Sequence, residues 1–178
     1  MFIKKAKPAE IAAAKDSLVN FLGEVTFVED VPVKEYMLKW LSAFAPDMTV
    51  YDAKSFCLPK LFFKNYLWNA FSFQKTDCYV EEDAEEAFAN GFEGPCYVLL
   101  NGENVLCKIA DGSVLNPENV KNFSNFIVFT EDFSKTYVNT GNEEFGPFYK
   151  ASDLDEDFEE IDPDDFVVEE ESEEEETE

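Results

Sequence analysis

Asp153, Asp155 and Asp157 occupy the first, third and fifth positions of the stretch DLDEDFEEIDPD, the spacing at which carboxylates enter an EF-hand calcium loop. The rest of that pattern is missing. Phe158 stands at the sixth position, where the sharp turn demands glycine, and Asp164 stands at the closing position, where a bidentate glutamate is usual. No helical pattern flanks the stretch, so specific calcium binding is not expected and no cofactor is called for.

Other chemistry is limited by what the chain lacks. It contains no histidine, and its 14 basic residues are all lysine. Without histidine there is no Ser–His or Cys–His pair and no imidazole general base or metal ligand. Without arginine there is no bidentate clamp for a transferring phosphoryl group. A pair of carboxylates could support acid–base or metal-assisted hydrolysis, but 39 Asp and Glu offer so many pairings that none is informative, and solvated faces are the expectation. Gly91 and Gly94 lead into Pro95 as an ordinary turn and form no phosphate loop. Cys57, Cys78, Cys96 and Cys107 are too far apart for a zinc or thioredoxin motif. Cys57, Cys96 and Cys107 have apolar or aromatic neighbours, as expected of buried thiols in a reduced cytosolic protein. The sequence therefore reads as non-enzymatic.

What remains is charge. Residues 1–150 hold 22 acids against 14 lysines, while residues 151–178 hold 17 acids and no base, so about two thirds of the net charge of −25 lies in the last 28 residues. That shift predicts a globular domain over 1–150 and an acidic, disordered low-complexity tail over 151–178. Three readings of the tail stay open. It is a solubilising extension, as in an accessory or structural domain; or a docking segment; or a nucleic-acid mimic occupying the binding cleft of another protein. For docking, Phe158, Ile161, Phe166 and Val167 would enter an apolar groove while Asp153, Asp155, Asp157, Asp164 and Asp165 steer a basic partner, although Pro163 argues against a continuous helix. Mimicry would gain if Glu81, Glu82, Asp83, Glu85 and Glu86 carried the acidic stripe onto the folded domain.

The elements that must position these residues follow from periodicity. With 46% hydrophobic and 16% aromatic residues, most of the chain has enough apolar surface to fold. PAEIAAAKDSLVNFLG places Ile11, Leu18, Phe21 and Leu22 near one helical face, with Pro8 suited to the first turn and Gly23 as stop. EVTFVEDVP reads as a short strand, and Val33 to Phe44 as a second helix ending before Pro46. The segment YDAKSFCLPKLFFKNYLWNAFSF is interrupted by Pro59, and its second half is ambiguous between helix and strand; its aromatics, Phe62, Phe63, Tyr66, Trp68, Phe71 and Phe73, are expected to be mostly core. EEDAEEAFAN predicts a helix with Ala84, Ala87 and Phe88 inward and acids in its first turn. CYVLL and NVLCKIA flank Asn101–Gly102 as a hairpin. NPENVKNF predicts a helical turn or two, and FIVF, TYVNT and FGPFYK follow as strands. The fold class is α+β, with early helices packed on a largely antiparallel sheet. No apolar stretch is of signal-peptide length or approaches the roughly 20 residues of a membrane span, so a soluble, cytoplasmic protein without membrane contact is expected.

The aromatic step YLWNAFSF, Cys78, the acidic helix ending at Ala87–Phe88, CYVLL from Cys96, IVFTEDFSKTYVNT and the closing GPFY resemble, in this order and spacing, a bacterial family of a domain of unknown function, number 4275. The likeness covers residues 66–149 and continues more weakly upstream through Trp40 and Phe44. Phe145 stands where some members carry a cysteine, and the acidic segment beyond Lys150 lies outside the likeness. It implies a compact cytosolic domain and no mechanism. The partner class therefore comes from charge alone. The chain lacks the basic face that direct nucleic-acid binding needs. The expected function is to dock on or neutralise a basic protein, in the manner of an immunity protein against a toxin or an inhibitor of a nucleic-acid-binding protein.

Overall fold

The computed structural model describes residues 6–47, 59–72 and 76–152. Helix α1 spans Pro8–Leu22. Its first turn is closed by the Glu10 carboxylate, which accepts from the Lys7 amide at 2.7 Å, and it ends where Gly23 takes φ +76°. Strand β1, Thr26–Phe27, and helix α2, Val33–Phe44, follow. α2 buries Met37, Leu38, Trp40, Leu41 and Phe44, a three-and-four spacing that makes one apolar stripe. Helix α3 covers Pro59–Asn65, and a 3₁₀ turn covers Leu67–Phe71. The ambiguous aromatic segment is thus helical from Pro59 onward. Its side chains are core as expected at Phe62, Phe63, Trp68 and Phe71, whereas Tyr66 is 40% exposed; Phe73 lies outside the described residues.

Strand β2, Tyr79–Val80, turns directly into helix α4, Glu81–Gly91. Strands β3, Cys96–Leu100, and β4, Val105–Ile109, form the expected hairpin. Its connection is longer than a two-residue turn. Residues 101–104 form the loop, with Asn104 at φ +55°, and the buried Asn101 amide accepts from the Leu67 amide and donates to the Phe63 carbonyl. The loop's side chain therefore ties the hairpin to α3 as well as reversing the chain. The short helix α5, Pro117–Val120, is capped reciprocally by Asn116 and Asn119. Strands β5, Phe126–Thr130, β6, Lys135–Asn139, and β7, Phe148–Ala151, complete the sheet, and the Gly146–Pro147 bond before β7 is cis.

The seven strands lie in the order β1-β4-β3-β5-β6-β7-β2, and every pairing is antiparallel. Helices cover both faces of this sheet. Leu99, Leu106, Ile127, Phe129, Val138 and Phe148 point to the layer made by α2, α3 and the 3₁₀ turn. Val98, Cys107, Phe126, Val128, Tyr137 and Tyr149 point to α1 and α4, where they meet Leu18, Ala84 and Phe88. Coverage on both faces is why β5 is buried along its whole length and reads as an unbroken apolar run. One polar chain crosses the first layer: the Trp40 indole donates to Thr136 Oγ1 at 2.8 Å, and that hydroxyl donates to the Val128 carbonyl at 2.8 Å. Among the described residues, no helix is long and apolar enough to cross a membrane.

Candidate functional site

The acids on α4 form the clearest concentration of charge on the described surface. Ala84 and Phe88 hold the helix on the sheet, Phe88 stacking on the Tyr137 ring with centroids 3.9 Å apart and planes 8° from parallel. With those two positions buried, helical geometry turns Glu81, Glu82, Asp83, Glu85 and Glu86 outward, and all five are exposed. Among the described residues none of them forms an ion pair. The sequence from Thr76 to Cys107 contains no lysine. The helix begins abruptly. Glu81 sits at φ +54°, a left-handed conformation that a side chain bearing Cβ adopts at a cost, and its amide donates to the Pro147 carbonyl at 3.1 Å. That bond fixes where the acidic helix leaves the sheet.

At the other end of α4 lies a cleft of about 510 Å³ lined by Glu93, Pro95, Thr130, Glu131, Asp132, Ser134 and Lys135. Most of its polar groups other than Glu93 are engaged in hydrogen bonds or an ion pair. Asp132 Oδ1 accepts from the Thr130 hydroxyl at 2.7 Å and from the Ser134 amide at 3.0 Å. Hydrogen bonding to Ser134 and then to Thr130 holds the Asp132 carboxyl below the usual carboxylate range. The Lys135 ammonium donates to the Gly91 carbonyl at 2.8 Å, where its charge complements the negative end of α4. Glu131 pairs with Lys108. These are the bonds of a tight β5–β6 turn, with Phe133 at φ +54°. Asp111 is similarly engaged: it accepts from the Ser113 amide and hydroxyl and from the Gly94 amide, and these bonds, Ser113 first, lower its pKa.

Cys96 and Cys107 are fully buried, and burial pushes each thiol up to about 12. Cys78, half-buried, is also raised, by burial first. None is an activated nucleophile, because the thiolate is the reactive form. Among the described residues no group of three or more His, Cys, Asp or Glu side chains is placed to hold a metal ion.

Asp153, Asp155, Asp157, Phe158, Ile161, Asp164, Asp165 and Phe166, read from the sequence as partner-binding, lie outside the described residues, as does Cys57. What the structure does describe is their point of departure. Ser152 is fastened to the β5–β6 turn, its amide donating to the Ser134 carbonyl at 2.7 Å and its hydroxyl to the Phe133 carbonyl at 2.8 Å. Ser152, the residue before the acidic segment of the sequence, is thus held at the β5–β6 turn. Sequence reasoning missed Tyr79 and Val80, which are 58% and 45% exposed at the sheet edge beside α4. Two residues are too few for a period, and the available signal was only their position before a helix start.

A helix-covered, wholly antiparallel sheet with an exposed acidic helix that makes no ion pair among the described residues defines an α+β domain. The chain belongs to the family of the domain of unknown function DUF4275, whose model matches residues 27–149. That range bears out the weaker upstream likeness through Trp40 and Phe44 and carries it back to Phe27. Comparisons with curated proteins and with solved structures find no match.

Proposed function

We propose that this is a non-enzymatic, cytoplasmic protein that docks on a basic protein through its acidic surface, as an immunity-like protein or an inhibitor of a nucleic-acid-binding protein would. The observation that carries this reading is α4. Five carboxylates within six residues occupy about 9 Å of helix axis, one charge per ~1.8 Å. Duplex DNA presents about one per 1.7 Å. Over one and a half turns the helix thus offers a charge density close to that of nucleic acid, on a scaffold held rigid by Ala84 and Phe88. A basic cleft built for phosphates gains the same Coulombic attraction from it. The absence of ion pairs on these five side chains among the described residues means that docking displaces water and counterions, not an internal partner. The acids after Ser152 add charge of the same sign, so α4 and the C-terminal acids act on one partner together.

The test uses three full-length proteins: the native chain, one with Glu81, Glu82, Asp83, Glu85 and Glu86 replaced by their amides, and one with Asp153, Asp155, Asp157, Asp164 and Asp165 replaced by asparagine. Each is used for affinity capture at low and high salt. The expected result is a basic protein retained by the native chain at low salt, released at high salt, and weakened in both variants, most in the α4 variant. Retention that is indifferent to salt and to both sets of substitutions would show that charge does not drive binding.

A further inference from the structure

The acidic helix does not stand alone; it grows out of the last strand of the sheet among the described residues, and the two edges of this sheet differ. At β1 a lysine guards the end: the Lys15 ammonium lies 5.1 Å from the Phe27 ring centroid and pairs with Glu29. A lysine over an edge strand discourages pairing with another chain. At β2 the nearest described lysine stands on the neighbouring strand, Lys150 of β7 donating to the Asp77 carbonyl at 2.9 Å just before β2. Tyr79 and Val80 are both exposed large apolar residues, they are adjacent, and no lysine lies in the strand or in α4 after it.

The pairing register shows which backbone groups this edge offers. Tyr79 is opposite Tyr149 and Val80 opposite Phe148, and the Glu81 amide donates to the Pro147 carbonyl. In an antiparallel ladder bonded and non-bonded pairs alternate, so Tyr79 turns its bonding groups toward β7 while the Val80 N–H turns outward. The two faces are equally distinct. Tyr79 stacks on Tyr149 on the face that carries α4, and Val80 lies with Phe148 on the opposite face.

We propose that β2 is a strand-addition site for an extended segment of a basic partner, in which basic and apolar residues alternate. A strand laid about 4.8 Å beyond β2 continues the sheet by bonding to the outward Val80 N–H. Its alternate side chains fall on opposite faces. Those on the α4 face meet the carboxylates of the helix that packs on β2, which selects lysine or arginine. Those on the other face extend the apolar surface of Val80 and Phe148, which selects valine, isoleucine or an aromatic. Charge complementarity excludes an acidic segment, including the acid-flanked Phe166–Val168 of this chain. The proposal rests on the docking reading above and adds to it the mode of binding and the pattern of the ligand.

The probe is a synthetic peptide of alternating lysine and valine, compared with the same peptide N-methylated at every residue, which keeps the charges and side chains but has neither edge free to add to a sheet. Affinity is read by fluorescence anisotropy at physiological salt, and exchange of the Val80 amide by NMR, on the full-length protein. The expected result is binding of the parent peptide, Val80 exchange slowed by about tenfold or more, and a loss of about tenfold or more on N-methylation. Substituting Glu82, Glu85 and Glu86 by glutamine weakens the parent peptide without changing Val80 exchange in the free protein. Equal binding of both peptides with Val80 unprotected overturns strand addition and leaves charge-driven docking standing. Binding of neither peptide also overturns it, and the capture experiment then decides the broader reading by itself. A dimer of the native protein in sedimentation, dissociated by Val80→Lys, overturns the assignment by making a second copy the occupant.

Discussion

At the scale of single residues, the buried Trp40–Thr136–Val128 chain is where one atom matters most. Thr136 is fully buried, and its hydroxyl is the acceptor for the Trp40 indole N–H. Thr136→Val keeps the shape and removes that acceptor, so the indole donor is left dry. The expected loss is about 1–3 kcal/mol in urea unfolding, the cost of an orphaned buried polar group. In a Trp40→Phe background the same substitution should cost less by roughly 1 kcal/mol, because no donor remains to be orphaned; equal costs in both backgrounds would assign the loss to packing. The buried thiols make a second prediction, with its sign set by their direction of shift. Cys96 and Cys107 titrate near 12 when folded against an ordinary value of 9.0. Above pH 9 the unfolded chain loses these protons while the folded chain keeps them, so stability, intact below that pH, falls as pH rises toward 12, by up to about 1.4 kcal/mol per pH unit per group. Tyr137, also raised by burial, adds to the slope at the upper end. Denaturation curves between pH 8 and 11 should be flatter for Cys107→Ala than for the native chain, whatever that substitution costs at pH 8.

At the scale of elements, the junction between β2 and α4 stores strain that a substitution can release. Glu81 holds φ +54°, which Asn tolerates at Asn104 and Asn125 but which disfavours glutamate. Glu81→Gly should stabilise the protein by about 0.5–1 kcal/mol, the left-handed penalty less the entropy glycine loses on folding. A loss of stability would mean that the Glu81 side chain contributes more than its backbone costs. This junction also marks the limit of what the sequence could disclose. α1, α2 and α4 were legible because one face of each is wet, leaving a helical period, with Pro8 and Gly23 as stops for α1. The residues from Pro59 to Phe71 were not, because most of their aromatics are buried against α2 and the sheet, and burial on all sides erases the period. β2 was invisible for the opposite reason: its two residues gain their strand character from β7, far along the chain. The five acids of α4 were legible as residues, and their outward arrangement became known only once Ala84 and Phe88 were seen to face the sheet.

At the scale of the whole molecule, a net charge of −25 makes the folded state repel itself, and salt, by screening, acts on stability and on docking with opposite signs. Folding brings carboxylates such as those of α4 within about a helical turn of one another, well inside the Debye length of roughly 10 Å at 0.1 M salt. Screening therefore relieves the folded state more than the expanded unfolded chain. The ion pairs described, Lys15–Glu29, Lys108–Glu131 and Lys121–Glu118, are surface pairs, each worth little, so their loss to salt does not offset the relief. Thermal unfolding should consequently shift upward as sodium chloride rises from 0.01 M to 0.5 M, where screening shortens from about 30 Å to well under 10 Å. Over the same range, capture of a basic partner should weaken. Replacing the five acids of α4 by their amides should reduce both responses together, because the same exposed carboxylates would destabilise the free domain and attract the partner. A midpoint that falls with salt would show that the ion pairs outweigh the repulsion, and the acidic surface would then lack the excess field on which charge-driven docking depends.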